Sequence, residues 1–176
     1  MKRLKPWAWI IGILLLVVAV PYVWGAIPPS AVVQPISFNH KLHLSKGLAC
    51  SFCHQGLTWG TAPAGKPKTQ VCKNCHNPAI LLSQSPENKK EEQKLVTYLN
   101  DSKDPPWNLV HQLPDYVYFS HYRHVTLGKL ECKTCHGDVA ERTTPMPRPV
   151  QPLKMAWCRK CHEEKKATQD CNACHR

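Results

Sequence analysis

The segment that decides the fold lies at the C-terminal end of the chain. It reads Phe119-Ser-His121-Tyr-Arg-His124, then Cys132-Lys-Thr-Cys135-His136, Cys158-Arg-Lys-Cys161-His162 and Cys171-Asn-Ala-Cys174-His175. The pattern Cys-x-x-Cys-His is typical of covalent attachment of a c-type haem, in which both thiols form thioethers with the porphyrin and the adjoining histidine is placed to bind the iron. Three such motifs in close succession predict a trihaem module.

Two further copies of the motif stand earlier in the chain, at Cys50-Ser-Phe-Cys53-His54 and Cys72-Lys-Asn-Cys75-His76. All ten cysteines of the sequence fall into these five motifs. A zinc ribbon does not need a histidine directly after the second cysteine. Each of its zinc ions is held by two Cys-x-x-Cys pairs, so an odd number of pairs would leave one without a partner. A disulfide framework gives no reason for identical spacing of every pair. The cysteines therefore favour five covalently bound haem c groups over zinc, disulfide or thioredoxin-like chemistry.

Composition and charge agree with a core made largely of cofactor. The 176 residues include 16 prolines and only 8% aromatic residues, so the sequence predicts a mostly irregular fold with short α-helices that depends on haem for buried apolar surface. The net charge of +11 would be offset by about ten haem propionates. The basicity is therefore no argument for nucleic acid, although a basic face for an acidic redox partner stays open.

The N-terminal segment predicts a membrane anchor over residues 1–27. Three basic residues precede an uncharged run from Trp7 to Ile27, which as a helix would span about 31 Å, roughly the thickness of the hydrocarbon layer. Trp7, Trp9, Tyr22 and Trp24 stand near its two ends, where interfacial aromatic residues belong. A cleaved signal peptide is the alternative. An uncleaved anchor with a basic cytoplasmic end would place the haem region on the periplasmic side of a bacterial inner membrane.

The remaining chain predicts two haem modules separated by a spacer. Phe38-Asn-His40-Lys-Leu-His43 repeats the Phe-x-His-x-x-His pattern of Phe119, and each copy precedes a Cys-x-x-Cys-His motif. We therefore expect a dihaem module over residues 28–84, a helical spacer and loop over 85–117, and a trihaem module over 118–176. Ser85 as N-cap and Pro86 at the first helical position predict the start of the spacer helix. Glu91 and Lys94, three positions apart, and a short apolar stripe formed by Leu95, Val96 and Leu99 support it.

The second module resembles the trihaem members of the class III multihaem cytochromes. The resemblance implies that the paired histidines ahead of the first motif are distal ligands, so that His121 would bind the haem of Cys132 and Cys135, and His124 the haem of Cys171 and Cys174. The equivalent roles in the first module would fall to His40, for the haem of Cys50 and Cys53, and His43, for the haem of Cys72 and Cys75. The proximal ligands would be His54, His76, His136, His162 and His175.

The fourth haem departs from that pattern. Class III relatives have a histidine shortly before the middle motif of the module, where this sequence has Met155. Counting favours His111, because the ten histidines then divide into five proximal and five distal ligands, whereas position favours Met155. Both residues stay open as distal ligand of the haem on Cys158 and Cys161, and a thioether would raise the potential of that haem.

The whole chain is similar to the membrane-anchored pentahaem cytochrome subunit of alternative complex III and to the related haem subunit of quinone reductase complexes. The similarity rests on the anchor, the two-plus-three arrangement of motifs, the segment from Trp107 to His121, and Pro152-Leu-Lys-Met155-Ala-Trp-Cys158. It implies an electron-transfer subunit without a catalytic site, an iron–sulfur/molybdopterin-like partner subunit, polytopic quinone-binding subunits and a soluble periplasmic electron carrier. The alternative is a free-standing, membrane-anchored quinol dehydrogenase cytochrome that feeds a periplasmic reductase.

Overall fold

The computed structural model describes residues 30–57 and 64–175. Within these residues the chain forms seven α-helices and no strands, with two isolated β-bridges, Asn77 with Ile80 and Val117 with His175. The helices are His40–Ser45 (α1), Cys50–Cys53 (α2), Thr69–Cys72 (α3), Pro86–Asp101 (α4), Cys132–His136 (α5), Met155–Glu164 (α6) and Cys171–Cys174 (α7). Tyr122–Leu127 is a π-helical segment, and Gln55–Leu57 and Val139–Glu141 are 3-10 turns. The predicted mostly irregular fold with short helices is confirmed.

All five Cys-x-x-Cys-His motifs belong to one compact unit, Val32–Arg176. The predicted anchor, residues 1–27, lies outside the described residues. In the part of the chain that the structure describes, no helix combines the length and the apolar character needed to cross a membrane.

Short helical turns present the cysteine pairs. Two cysteines three positions apart lie on the same side of a helical turn, so each turn can offer both thiols to one porphyrin edge. The histidine that follows closes the turn: the N–H of His54 donates to the Cys50 carbonyl at 2.9 Å, and the N–H of His175 donates to the Cys171 carbonyl at the same distance. The motif spacing therefore fixes a local structure as well as a chemistry.

Helix α4 is the longest described helix, and it forms where the sequence predicts it. The Ser85 side chain caps it by accepting a hydrogen bond from the Asn88 N–H at 3.2 Å, and Pro86 follows at the start. At its C-terminal end Ser102 adopts the left-handed conformation with φ 52°. Lys94 and Glu91 form the expected ion pair one turn apart, at 2.7 Å.

The apolar core is small and surrounds helix α4. Among the described residues only four apolar side chains are buried, of which Ile36, Leu95 and Leu99 form one cluster. Partly buried Cys72, Tyr98 and Trp107 pack against that cluster. The core therefore lies beside the second Cys-x-x-Cys-His motif, and little apolar protein surface is buried elsewhere in the described chain.

The segment before the first Phe-x-His-x-x-His pattern forms hydrogen bonds with later parts of the chain. We expected an extended linker over residues 31–36, and the backbone there is free of helix. Its Val32 N–H donates to the Pro147 carbonyl at 2.7 Å, and the side chain of Gln34 exchanges two hydrogen bonds with the backbone of Asn108. The segment from Val32 onward is thus part of the compact unit, and it ends at the buried Ile36.

Candidate haem sites

The two Phe-x-His-x-x-His segments adopt the same local geometry. Phe38 stacks on His43 with ring centroids 4.2 Å apart and meets His40 edge-on at 4.8 Å. In the second copy, Phe119 stacks on the ring of His124 at 4.4 Å and meets the ring of His121 edge-on at 4.9 Å. The phenylalanine therefore fixes the orientation of both histidines in each copy, a role that the sequence pattern suggests but does not demonstrate.

Three pairs of histidines face each other at the spacing that an iron atom requires. Two imidazoles bound to one metal at about 2 Å each have ring centroids roughly 6 Å apart. The ring centroids are 6.2 Å apart for His43 and His76, 6.3 Å for His121 and His136, and 6.0 Å for His124 and His162. Each pair joins a histidine of a Phe-x-His-x-x-His segment to a histidine that follows a cysteine pair, so these residues fit a haem held between two histidines.

The partner of His124 differs from our expectation. The resemblance placed His124 opposite His175, but the structure brings it to His162 of the fourth motif. His124 lies in the π-helical segment Tyr122–Leu127. Among the described ring contacts, His54 of the first motif and His175 of the fifth face no second histidine, and the ring of His175 lies 5.9 Å from the ring of Tyr116.

The two contested residues occupy different environments. Met155 is the first residue of α6 and is 58% exposed. His111 is half-buried with its ring 4.4 Å from that of His136, and burial together with His136 and His121 lowers the pKa of His111 to about 4. His111 thus lies beside the proximal histidine of the third motif.

Three histidines carry a buried ring nitrogen without a protein partner. In the described residues these atoms are Nδ1 of His40, Nε2 of His111 and Nδ1 of His121. Burial, the nearby His54 and His43, and Arg142 lower the pKa of His40 to about 4. A neutral imidazole with an unsatisfied buried nitrogen is costly in a protein alone. The rings of His40 and His121 therefore fit sites that are completed by another group, and His40 lies close enough to His54 for the two to interact.

Most of the other histidines donate their Nδ1 hydrogen to a backbone carbonyl. His43 donates to Asn39 and His124 to Ser120, both at 2.8 Å. Among the histidines of the motifs, His54 donates to Gly65 at 3.0 Å and His162 to the carbonyl of Thr168 at 2.6 Å. These bonds fix the ring orientation and leave Nε2 available to bind a metal.

His76 has a different acceptor from these four, because its Nδ1 lies 2.8 Å from the Glu92 carboxylate. Glu92 is only 6% exposed, and it also accepts hydrogen bonds from the backbone N–H groups of Leu82 at 3.0 Å and Ser83 at 2.7 Å. Burial alone would raise the pKa of Glu92, but these hydrogen bonds outweigh it and lower the pKa to about 2. Sequence reasoning missed this residue, although it stands three positions before Leu95 on the apolar stripe of α4.

The ten thiols are free. Burial raises the pKa of the Cys50 and Cys72 thiols, and neighbouring thiols raise it further: Cys132 acts on Cys50, and Cys53 acts on Cys72. In the trihaem module, Cys161 and Cys158 act on Cys135, and Cys174 acts on Cys158. The motifs therefore adjoin one another in the order second, first, third, fourth, fifth.

Nowhere in the described chain do three or more His, Cys, Asp or Glu side chains form a group able to hold a metal ion.

Comparison with known proteins gives two matches. The family described as cytochrome c7 and related cytochrome c matches residues 36–95 and again residues 117–176, so both Phe-x-His-x-x-His segments lie inside a match. The menaquinone reductase, multiheme cytochrome c subunit, of Nitratidesulfovibrio vulgaris (strain Hildenborough) is 32% identical over 183 residues, which cover 90% of this chain and 84% of that protein.

Proposed function

The chain belongs to the family of cytochrome c7 and related cytochromes c, and on that premise we propose that it is the pentahaem electron-transfer subunit of a membrane quinone oxidoreductase. The family binds haem covalently through Cys-x-x-Cys-His motifs, and this chain has five of them. Bound haem iron supplies one-electron exchange between the ferric and ferrous states. The protein's part is to attach the haems, fix their axial ligands and hold neighbouring sites close together.

Four sites take a histidine on each face in this proposal. The first site uses His54 and His40, and the second uses His76 and His43. The third and fourth sites are completed by the pairs His136 with His121 and His162 with His124. Two histidines on one iron leave no position for a substrate, so these sites serve electron transfer and not catalysis.

For the fifth site we propose His175 with Met155. Met155 and Cys158 are three positions apart in α6 and therefore share a face of that helix. Cys158 adjoins Cys174 of the fifth motif, so that face of α6 is directed to the fifth site. The exposed thioether of Met155 would be covered by the haem attached there, which removes a large apolar side chain from solvent.

The relative supplies the context for the partners. That protein is the multiheme cytochrome c subunit of a menaquinone reductase. By that similarity we propose that this chain works with an iron–sulfur/molybdopterin-like subunit and polytopic quinone-binding subunits, and exchanges electrons with a soluble periplasmic carrier. Residues 1–27 would anchor it to the inner membrane, with the haem unit on the periplasmic side.

The observation that carries the proposal is the set of facing histidine pairs 6.0–6.3 Å apart. Electron paramagnetic resonance of the oxidised holoprotein tests it, because iron with two protein ligands is low-spin whereas an open iron is high-spin. We expect five haems by mass and pyridine haemochrome assay and only low-spin signals. A stoichiometric high-spin haem that binds cyanide or nitrite would instead support an enzyme.

The association with a larger complex has its own test. The isolated subunit, reconstituted in liposomes with menaquinol, should be reduced slowly, because the proposal places the quinone site in another subunit. Reduction at a rate matching that of the intact complex would contradict the proposal and support the free-standing quinol dehydrogenase.

A further inference from the structure

His76 differs from His54 and His162, the other histidines of the haem motifs with a described hydrogen-bond acceptor, in the charge of that acceptor. His54 and His162 donate to neutral backbone carbonyls, whereas His76 faces the Glu92 carboxylate at 2.8 Å. The side chain of Glu92 is 4% exposed and that of His76 is 20% exposed. Water therefore screens this contact very little, which makes it stronger than a surface contact of the same length.

The hydrogen bonds around Glu92 fix the direction of the bond to His76. Both of its oxygens already accept a backbone N–H, Oε1 from Leu82 and Oε2 from Ser83. A carboxylate stabilised by such donors stays an acceptor, so His76 must donate its Nδ1 hydrogen to Oε1. This leaves His76 Nε2 as the iron ligand, consistent with the His43 ring on the opposite side of the site.

We propose that Glu92 is a positioning residue that fixes His76 and makes the haem of Cys72 and Cys75 the site of lowest midpoint potential among the four sites with two histidines. An anionic acceptor draws the Nδ1 hydrogen of an imidazole and increases its donor strength at Nε2. A stronger donor and a nearby negative charge both favour ferric over ferrous iron. This inference rests on the proposed function, because it requires a haem at the second motif.

The helix gives a matched pair of variants. Glu92→Gln keeps the size of the side chain and removes its charge at the His76 contact. Glu87→Gln removes the same charge from the exposed first turn of the same helix. In a spectroelectrochemical titration of the five-haem protein, Glu92→Gln should shift one haem transition to higher potential and leave four near their wild-type positions. The wave that moves should be the one displaced by His43→Met, which alters the opposite ligand of the same site.

Two outcomes overturn the inference. One is a Glu92→Gln titration that matches Glu87→Gln, and the other is a shift confined to a wave that His43→Met does not move. If Glu92→Gln does not fold, the wild-type protein provides the test. Its low-spin electron paramagnetic resonance spectrum must contain one haem whose axial histidine has the ligand field of a partly anionic imidazole. A spectrum in which all the haems with two histidines are alike contradicts the inference. Absence of haem from Cys72 and Cys75 by peptide mass would overturn the proposed function itself.

Discussion

Two residues, Met155 and His124, complete the last two haem sites in the proposed arrangement. Met155→Ala should leave the haem on Cys171 and Cys174 covalently attached but with one open face, because no second histidine faces His175 among the described ring contacts. We expect one high-spin haem and the loss of any methionine-to-iron charge-transfer band. Absorption and electron paramagnetic resonance spectra of the oxidised variant measure both changes.

The same spectra, recorded for variants at His124 and His111, distinguish the fourth site from the fifth. His124→Met should replace a histidine by a thioether opposite His162 and so raise the potential of one haem without opening a face. His111→Ala is the control, because the His111 ring lies against His136 and not between the members of a facing pair. If Met155→Ala stays entirely low-spin while His111→Ala gives a high-spin haem, His111 is the ligand.

At the scale of the element, helix α4 supplies two of the four buried apolar side chains of the described chain, Leu95 and Leu99. Leu99 is 3% exposed, and its replacement by alanine leaves a cavity beside Ile36 and Leu95. We expect Leu99→Ala to lower the free energy of unfolding by about 2–5 kcal/mol and Ser85→Ala, which removes the N-cap, by about 1 kcal/mol. Denaturant unfolding of the holoprotein followed by circular dichroism measures both.

The exposed Thr97 of α4 gives the control for that series. Thr97→Ala should change the free energy of unfolding by less than about 0.5 kcal/mol, since the residue is exposed. Equal loss of stability in Thr97→Ala and Leu99→Ala would show that the cluster of Ile36, Leu95 and Leu99 does not support the fold.

Helix α4 also shows what the sequence could and could not predict. Ser85, Pro86 and the Glu91–Lys94 pair predict the helix correctly because capping and ion pairs one turn apart are local. The contact of Glu92 with His76 joins segments that meet only in the folded chain, so spacing alone does not reveal it. The sequence did contain one indication of this contact, namely that Glu92 places a carboxylate on the same helix face as Leu95 and Leu99.

The same distinction holds for the haem sites. The five Cys-x-x-Cys-His turns follow from the sequence because each is a single turn of chain. The ring of His124 faces the ring of His162 only when the chain follows a particular path through the π-helical segment after His121. No short sequence motif encodes that path. The resemblance implied His43 opposite His76 and His121 opposite His136, and those rings face each other. For His124 it implied His175, whereas the ring of His162 faces it.

For the whole molecule, the small protein core predicts that folding depends on haem attachment. Only Ile36, Leu95, Leu99 and Met146 are buried apolar residues in the described chain, far fewer than a domain of this length needs to fold unaided. Expressed without the haem-attachment machinery, the chain should show no cooperative thermal transition in differential scanning calorimetry. A cooperative transition in that haem-free chain would contradict the prediction, and the holoprotein provides the control.

The contacts between thiols give the molecule an order of sites that differs from the order of the sequence. Cys50 adjoins Cys132, and Cys53 lies next to Cys72 and Cys75, so the first site stands between the second and the third. A variant with Cys50→Ala and Cys53→Ala, which lacks the first haem, should therefore slow electron exchange between the second haem and the trihaem module, although their motifs are neighbours along the chain. The matched variant, Cys171→Ala with Cys174→Ala, removes a site at the end of the series and should leave that exchange unchanged. Pulse radiolysis of the partly reduced proteins measures the exchange, and equal rates in the two variants would show that the second and third sites exchange electrons directly.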